Sequence, residues 1–312
     1  MFGKDIRMKP LLDSHTEAQI FAELREKIDI AAFEPINKGW SEDKKYLIRT
    51  SDGEKLLIRI SDKDDYEGKE HLFKILKQVA TLGINTPIPL DVGLCNRAEN
   101  SYILLTWVEG EDAKSVLPHL KPEQQYSLGI KAGVLVQKLH TLPAPENAEA
   151  MGIRYRREMQ ETIDYYNNNP AKSPGGDTLV QYISDNQSLL DSRPNTFMHG
   201  DCNTTNIIIM PDSEIGIIDF LGDYGDPWWE FDPASGWGDE PVAPFISGMF
   251  DGYFNGEPPE QFFKMHSFYE AYSALVALCA FLSEGDKAGK NHAVNVLRWF
   301  DNMRNTIPSW YR

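Results

Sequence analysis

Residues 197–220 read FMHGDCNTTNIIIMPDSEIGIIDF, and this stretch constrains the fold more than any other. Two apolar, β-branched runs, 207–210 and 215–218, flank Pro211-Asp212-Ser213, a turn composition. That pattern predicts a short antiparallel hairpin. Pairing its strands carries Asn206 and Asp219, at their outer ends, to one edge, and Asp201 lies in the loop just before. Two carboxylates and an amide therefore meet at one end of a rigid element.

Oxygen donors of this type suit Mg²⁺, which keeps several waters and shares its shell with substrate phosphates. The spacing has a mechanical use. An Asp base, an Asn five positions later and a metal-binding Asp after a hairpin form the working parts of the kinase catalytic loop. Phosphoryl transfer depends mostly on positioning and charge neutralisation, and a base beside a metal clamp on strand ends supplies both.

The rest of the chain predicts two regions. Thr16 to Asp29 carries Ile20, Leu24 and Ile28 at helical spacing. Lys45 to Thr50 and Lys55 to Ile60 are strands joined across Ser51-Asp52-Gly53-Glu54, an Asp-Gly hairpin turn. A helix over 67–82 with Leu72, Ile75, Leu76, Val79 and Leu82 on one face ends at Gly83, and strands follow at 88–93 and 102–108. After Glu109-Gly110 helices take over. Residues 122–142 carry a stripe of Leu128, Ala132, Leu135, Val136 and Leu139. The Pro-, Asn- and Gly-rich segment 143–177 reads as partly irregular, and helices fill the chain from Pro259 onward. Residues 1–108 thus form one expected domain and 109–312 a second.

Composition narrows the function. The net charge of −16 argues against a general nucleic-acid binder. Nearly all of it lies in 177–270, where 17 acidic residues face two basic ones, a balance of −15. Such a surface attracts cations, and it also serves solubility. Cys95, Cys202 and Cys279 are too scattered for a disulfide framework or a zinc site, which fits a reducing compartment. The N-terminal stretch shows no secretory h-region, and the apolar run 271–282 is too short to span a bilayer. A cytoplasmic protein without membrane attachment is expected.

With these residues in view, HGDCNTTN followed by IIDF resembles the aminoglycoside phosphotransferase family, small-molecule kinases with a protein-kinase-like fold. The downstream GDPWWEFD is similar to that family's Gly-Asp-Pro stretch. The resemblance implies an α+β, two-lobed protein-kinase-like fold, with an N-terminal antiparallel-sheet lobe and a mostly helical C-terminal lobe. It implies that Asp201 orients or deprotonates the acceptor hydroxyl, that Asn206 and Asp219 hold Mg²⁺, and that His199 supports the loop. One of Asp226, Glu230 and Asp232 would brace that loop by accepting backbone N–H bonds.

The N-terminal lobe would then hold the nucleotide, ATP or GTP. Arg59 in IRIS stands where protein kinases place a phosphate-binding Lys, with Glu70, or else Glu67, as its helix partner. The loop NKGWSEDKKY would cover the phosphates through Ser41 or backbone N–H groups; it has only Gly39, and a plain turn reads it equally well. Backbone groups of Trp107 and Val108, in the hinge-like YILLTWVEGED, would meet the purine edge. Protein kinases proper are disfavoured, since Asp-Phe-Gly is missing and no Ala-Pro-Glu follows Asp219.

The expected reaction moves a γ-phosphate to a hydroxyl of a small molecule. An aminoglycoside-like cation suits the acidic region; a choline, homoserine or sugar kinase, or a non-catalytic nucleotide binder, is the alternative. Arg154, Arg156 and Arg157 read as a solvated face or a contact for a substrate anion, and Trp228, Trp229 and Trp237 as core or, for one of them, the lining of an acceptor pocket. GDKAGKN, 285–291, superficially resembles a phosphate-binding loop but is one residue short and follows no strand.

Overall fold

The computed structural model describes residues 14–37, 43–231, 242–285 and 287–311. The chain divides into two compact units, Met1–Glu109 and Gly110–Arg312.

The first unit begins with helix α1 (Ser14–Leu24) and strand β1 (Ala32–Ile36). Strands β2 (Lys44–Arg49) and β3 (Lys55–Asp62) follow, joined across the expected turn. Gly53 holds φ +91° there, a left-handed conformation that only glycine adopts freely. Helix α2 (Tyr66–Ala80) precedes β4 (Pro89–Cys95) and β5 (Asn100–Thr106). The five strands form one antiparallel sheet in the order β1-β2-β3-β5-β4. Alternation along β3 puts Leu56, Ile58 and Ile60 on a buried face with Ile20, Phe21 and Leu24 of α1. The period of two then sends Arg59 to the opposite face. Strand β1 was not expected. Its five residues, Ala-Phe-Glu-Pro-Ile, are exposed or half-buried and include a Pro, so no alternation marks them as a strand.

The second unit opens at Gly110, where the chain crosses the hairpin so closely that a Cβ would lie 2.4 Å from the Ile209 carbonyl oxygen. Strand β6 (Glu111–Asp112) and the short helix α3 (Ala113–Val116) lead to α4 (Pro122–Leu139), α5 (Met151–Asn168) and α6 (Gly176–Asp185). Strand β7 (Thr196–Met198), the hairpin β8 (Ile207–Ile209) and β9 (Ile215–Ile217), and β10 (Asp223–Gly225) come next. Helices α7 (Ala243–Phe254), α8 (Glu260–Glu284) and α9 (Lys287–Trp299) complete it.

The five residues expected on the core stripe of α4 are all buried. Segment 143–177 is irregular in part, as expected, over 144–150 and 169–175, and helix α5 fills the stretch between. Met151, Tyr155, Met159, Thr162, Ile163 and Tyr166 recur at helical spacing and are buried, while Pro143, Pro145, Pro170 and Pro174 stay outside its ends. The breakers bound the helix; they do not enter it. The apolar run 271–282 likewise belongs to a longer element. Glu260–Ser283 is long and apolar enough by length and composition to cross a membrane, but its most apolar stretch is mostly buried inside the protein, as in a core helix.

A candidate active site on two short ladders

Two short ladders converge on the motif. In the hairpin, Ile207 pairs with Ile217 and Ile209 with Ile215. One step further out, Ile218 N donates to Asn206 O at 2.9 Å, so Asn206 and Asp219 leave the hairpin at the same end, as the pattern predicts. Beside it β7 pairs with β10, Met198 opposite Asp223. The segment after β7 and the segment before β10 are therefore neighbours, and Leu221 N donates to His199 O at 3.0 Å.

His199 is fully buried and both its ring nitrogens are engaged. Asp201 N donates to Nδ1 at 3.1 Å, which requires Nδ1 to be the acceptor, so Nε2 carries the proton and donates to Ile218 O at 2.8 Å. The ring thus ties the loop to the return strand of the hairpin. Gly200 holds φ +86° and lets the chain turn at once toward Asp201.

The Asp201 carboxylate is held from both sides. Asn203 Nδ2 donates to Oδ1 at 2.7 Å, and Asn206 Nδ2 donates to Oδ2 and to the Asp201 carbonyl oxygen, each at 2.9 Å. Burial raises its pKa above the ordinary aspartate value. Its hydrogen bonds to Asn203 and Asn206 and the nearby His199 pull the other way, and the like charge of Asp219 adds to the rise. Asp219 stands half-buried with φ +65°, a left-handed conformation that Asp tolerates better than most residues.

These residues fit a hard cation. Asn206 turns its NH₂ to Asp201, and among the described residues its Oδ1 accepts no hydrogen bond. Two carboxylates with one amide oxygen are oxygen donors alone. Among the described residues no group of three or more His, Cys, Asp or Glu gathers as a metal cage. A cation here would take its other ligands from water and substrate oxygens, as Mg²⁺ does.

The loop hangs from a buried carboxylate. Glu230, 1% exposed, accepts from His199 N at 2.6 Å and from Gly200 N at 2.9 Å. Of the three acidic residues considered for this brace, Glu230 is the one that reaches the loop, and Asp232 lies outside the described residues. Asp226 anchors the turn that carries Glu230. Arg193 binds it bidentately, through Nε at 2.6 Å and Nη2 at 2.8 Å, and Tyr269 OH and Trp228 N complete its shell. Trp228 and Trp229 pack on the helical core, as expected, and Trp237 lies outside the described residues. The arginines of α5 are not a bare solvated face. Arg154 reaches Asp223 and the Tyr224 carbonyl of β10, Arg156 pairs with Asp191, and Arg157 with Glu149.

In the first unit, Arg59 Nε donates to Asp43 Oδ2 at 2.6 Å, and Lys69 Nζ donates to the other oxygen at 2.7 Å. The side chains are 14%, 13% and 7% exposed for Arg59, Asp43 and Lys69. This corrects the expected partner. Glu70 pairs with Lys74 on its own helix and Glu67 is exposed. The turn of α2 that faces inward presents Lys69, so the carboxylate comes from the entry to β2. Ser41 and Gly39 lie outside the described residues. The Trp107 N–H is already bonded to Lys55 O at 3.3 Å. Among the described residues the Trp107 carbonyl and the Val108 N–H carry no such bond.

Residues 32–263 match the model of the Phosphotransferase enzyme family. The chain belongs to that family. The solved structures it is similar to include a proposed fructosamine-3-kinase from Haemophilus somnus 129PT, at TM-score 0.63 and 14% identity over 90% of this chain and 98% of that one. An aminoglycoside phosphotransferase from Streptomyces rimosus ATCC10970, solved with ADP and streptomycin, aligns at TM-score 0.54 and 18% identity over 85% and 99%. A macrolide 2'-phosphotransferase from Brachybacterium faecium aligns at TM-score 0.60 and 14% identity over 90% and 98%. A search of curated proteins finds no match. The antiparallel-sheet unit and the helical unit are those of the protein-kinase-like phosphotransferases.

Proposed function

We propose that this family member transfers the γ-phosphate of a nucleoside triphosphate to a hydroxyl of an amine-bearing small molecule, in the cytoplasm. The observation that carries the reading is the Asp201–Asn206–Asp219 arrangement, tied to one hairpin end and hung from Glu230. Asp201 receives or orients the acceptor's hydroxyl proton. Burial raises its pKa, which makes it a better proton acceptor once it is ionised. Its two amide partners fix the carboxylate plane, so no reorganisation is needed as the proton moves. Asn206 Oδ1 and Asp219 would hold Mg²⁺, whose contribution is neutralisation of phosphate charge. Arg59 meets donor phosphate with a planar, permanently charged fork.

For the acceptor class, the −15 balance of 177–270 counts for less in the folded chain. Asp191, Asp223 and Glu214 pair with Arg156, Arg154 and Lys131, cations from outside the segment, and Asp226 and Glu230 are internal braces. The amine preference rests on the carboxylates that remain once Asp201 and Asp219 are given to catalysis and metal. The test is nucleotide consumption by purified protein with Mg²⁺ across aminoglycosides, macrolides, choline, homoserine and neutral sugars at matched concentration. Turnover with an amine-bearing compound, and a KM for it that rises with salt, is expected. Turnover confined to neutral acceptors sinks the amine preference. No consumption with any class, and none with water, sinks the transferase reading.

A further inference from the structure

Beneath the loop lies a buried side chain that the reaction as described does not use. His140 caps the C-terminus of α4, its N–H bonded to Val136 O at 3.0 Å. It is 8% exposed. Its Nε2 lies 3.4 Å from Glu230 Oε2, the same oxygen that accepts the His199 N–H. Its Nδ1 lies 3.0 Å from the Tyr253 hydroxyl of α7, and the two rings meet edge to face with centroids 5.5 Å apart.

A residue that only filled space would not engage both nitrogens. Nε2 must carry a proton to face a carboxylate. Tyr253 can donate to Nδ1 with the ring neutral or accept from it with the ring charged, so the arrangement holds in either state. The spacing is set by close helix packing. A Cβ on Gly133 of α4 would fall 2.1 Å from the Met249 carbonyl oxygen of α7, and Gln137 Nε2 donates to Tyr253 O at 2.6 Å. Helices α4 and α7 thus run in backbone contact, and their ends deliver the two rings to one point.

We propose that His140 is a positioning residue: it holds the Glu230 carboxylate in place, and through Glu230 the His199–Gly200 backbone and the orientation of Asp201. The proposal rests on the reading of Asp201 as catalytic. Its physical basis is the cost of burying a carboxylate, several kcal/mol unless partners repay it. The two loop N–H groups meet part of that need. An N–H donor that is cationic when protonated, at the helix C-terminus where positive charge is favoured, meets another part. Burial pushes the Glu230 pKa up, yet His140 and the loop together bring it below the ordinary glutamate value. Without His140, Glu230 is freer to protonate or shift, and a protonated carboxyl accepts two backbone N–H bonds poorly.

The experiment uses the full chain and two readouts. One is amide hydrogen exchange at His199 and Gly200; the other is ATP consumption with Mg²⁺. His140→Phe should speed exchange at these two amides and lower kcat about 10- to 100-fold through displacement of Asp201. The nucleotide KM should stay within about twofold, because the lost interaction serves the transition state. His140→Gln keeps an N–H donor and should recover part of both effects. A general loss of structure would instead raise KM as kcat falls and speed exchange throughout α4 and α7. If His140→Phe does not fold, His140→Gln and Tyr253→Phe carry the test, with the same two amides faster and a smaller fall in kcat. Wild-type exchange and kcat in the folded variants overturn the proposal, as does equal impairment by Phe and Gln that tracks melting temperature. Asp201→Asn separates the two readings. It should abolish turnover with exchange at 199–200 unchanged; retained turnover would remove Asp201 as catalytic while leaving the exchange result to report on the brace.

Discussion

The loop at Asp201 and the cluster at Arg59 are both built around a carboxylate withdrawn from solvent, Glu230 fully and Asp43 for the most part, and they are held in opposite ways. Glu230 accepts main-chain N–H groups of consecutive residues, so the order of the chain itself dictates what it holds. Asp43 accepts two side chains, Arg59 and Lys69, from a strand and a helix. A brace on backbone fixes a loop regardless of rotamers. A brace between side chains fixes two long, flexible groups whose identities can trade places. The first arrangement leaves a local signature in sequence and the second does not.

That difference explains what could be read in advance. The hairpin, the shared end of Asn206 and Asp219, and the placement of Asp201 follow from a 24-residue stretch, because local turn chemistry and strand pairing decide them. Glu230 emerged only as one of three acidic candidates, since the sequence shows the turn and not which carboxylate points inward. Asn203 was missed, although Asn-Thr-Thr is an Asx-turn composition, and Asn203 Oδ1 does receive the Thr205 N–H at 2.8 Å. Asp43, Lys69, His140 and Arg193 were not readable at all. Each meets a partner 26 or more residues distant, except Asp43 with Arg59 at 16. Helix α5 was hidden by the prolines at its margins.

The sharpest way to break the comparison is Asp201→Asn. Its carboxylate is held from both sides, so Asn keeps the shape and loses the charge, together with one of the two hydrogen bonds from Asn203 and Asn206. The expected loss is about 10²–10⁴-fold in kcat, with nucleotide binding nearly unaltered. Retention of more than about a tenth of the wild-type rate would remove Asp201 from the reaction.

Next in size is the metal response. Asp219→Asn keeps a side chain that accepts left-handed φ and removes the charge, so the fold should survive. Apparent Mg²⁺ affinity should fall by about 10- to 100-fold in a titration at fixed nucleotide, at least the loss seen for outer-shell groups. Asn206→Ala should weaken Mg²⁺ less, an amide being only a dipole, but it also releases Asp201 from two hydrogen bonds. Its kcat should therefore fall more than its metal affinity does. Equal metal dependence in both variants and the wild type would refute the ligand assignment.

The side-chain brace should show itself in acid. Burial raises the Asp43 pKa, and Arg59 and Lys69 outweigh it, so the folded value lies below the ordinary one. A carboxylate lowered on folding contributes stability that is fully present above about pH 4 and disappears as pH falls through the folded value. Asp43→Asn should remove that part and cost about 1.5–3 kcal/mol at neutral pH, the range for hydrogen bonds to charged groups. The deficit relative to wild type should shrink below pH 4, measured by denaturant melts across pH. A deficit independent of pH would mean that Asp43 acts through shape alone.

The smallest expected effect is at Arg59. Arg59→Ala removes a charge that stands beside a second one, Lys69, on the same carboxylate. A donor phosphate would therefore lose its fork but not all the positive charge in reach. A rise of about tenfold in nucleotide KM, or 1.4 kcal/mol, is expected, with kcat changed less. Arg59→Lys keeps the charge and loses bidentate geometry, so it should recover about half of that free energy. Lys69→Met offers the contrast. If Lys69 only holds Asp43, its loss should shift the acid melt and leave KM alone. If both variants raise KM alike, the two cations act as one clamp and the side-chain brace is itself part of the nucleotide site. If neither does, Arg59 serves only to neutralise Asp43, and the donor phosphates are held elsewhere in the protein.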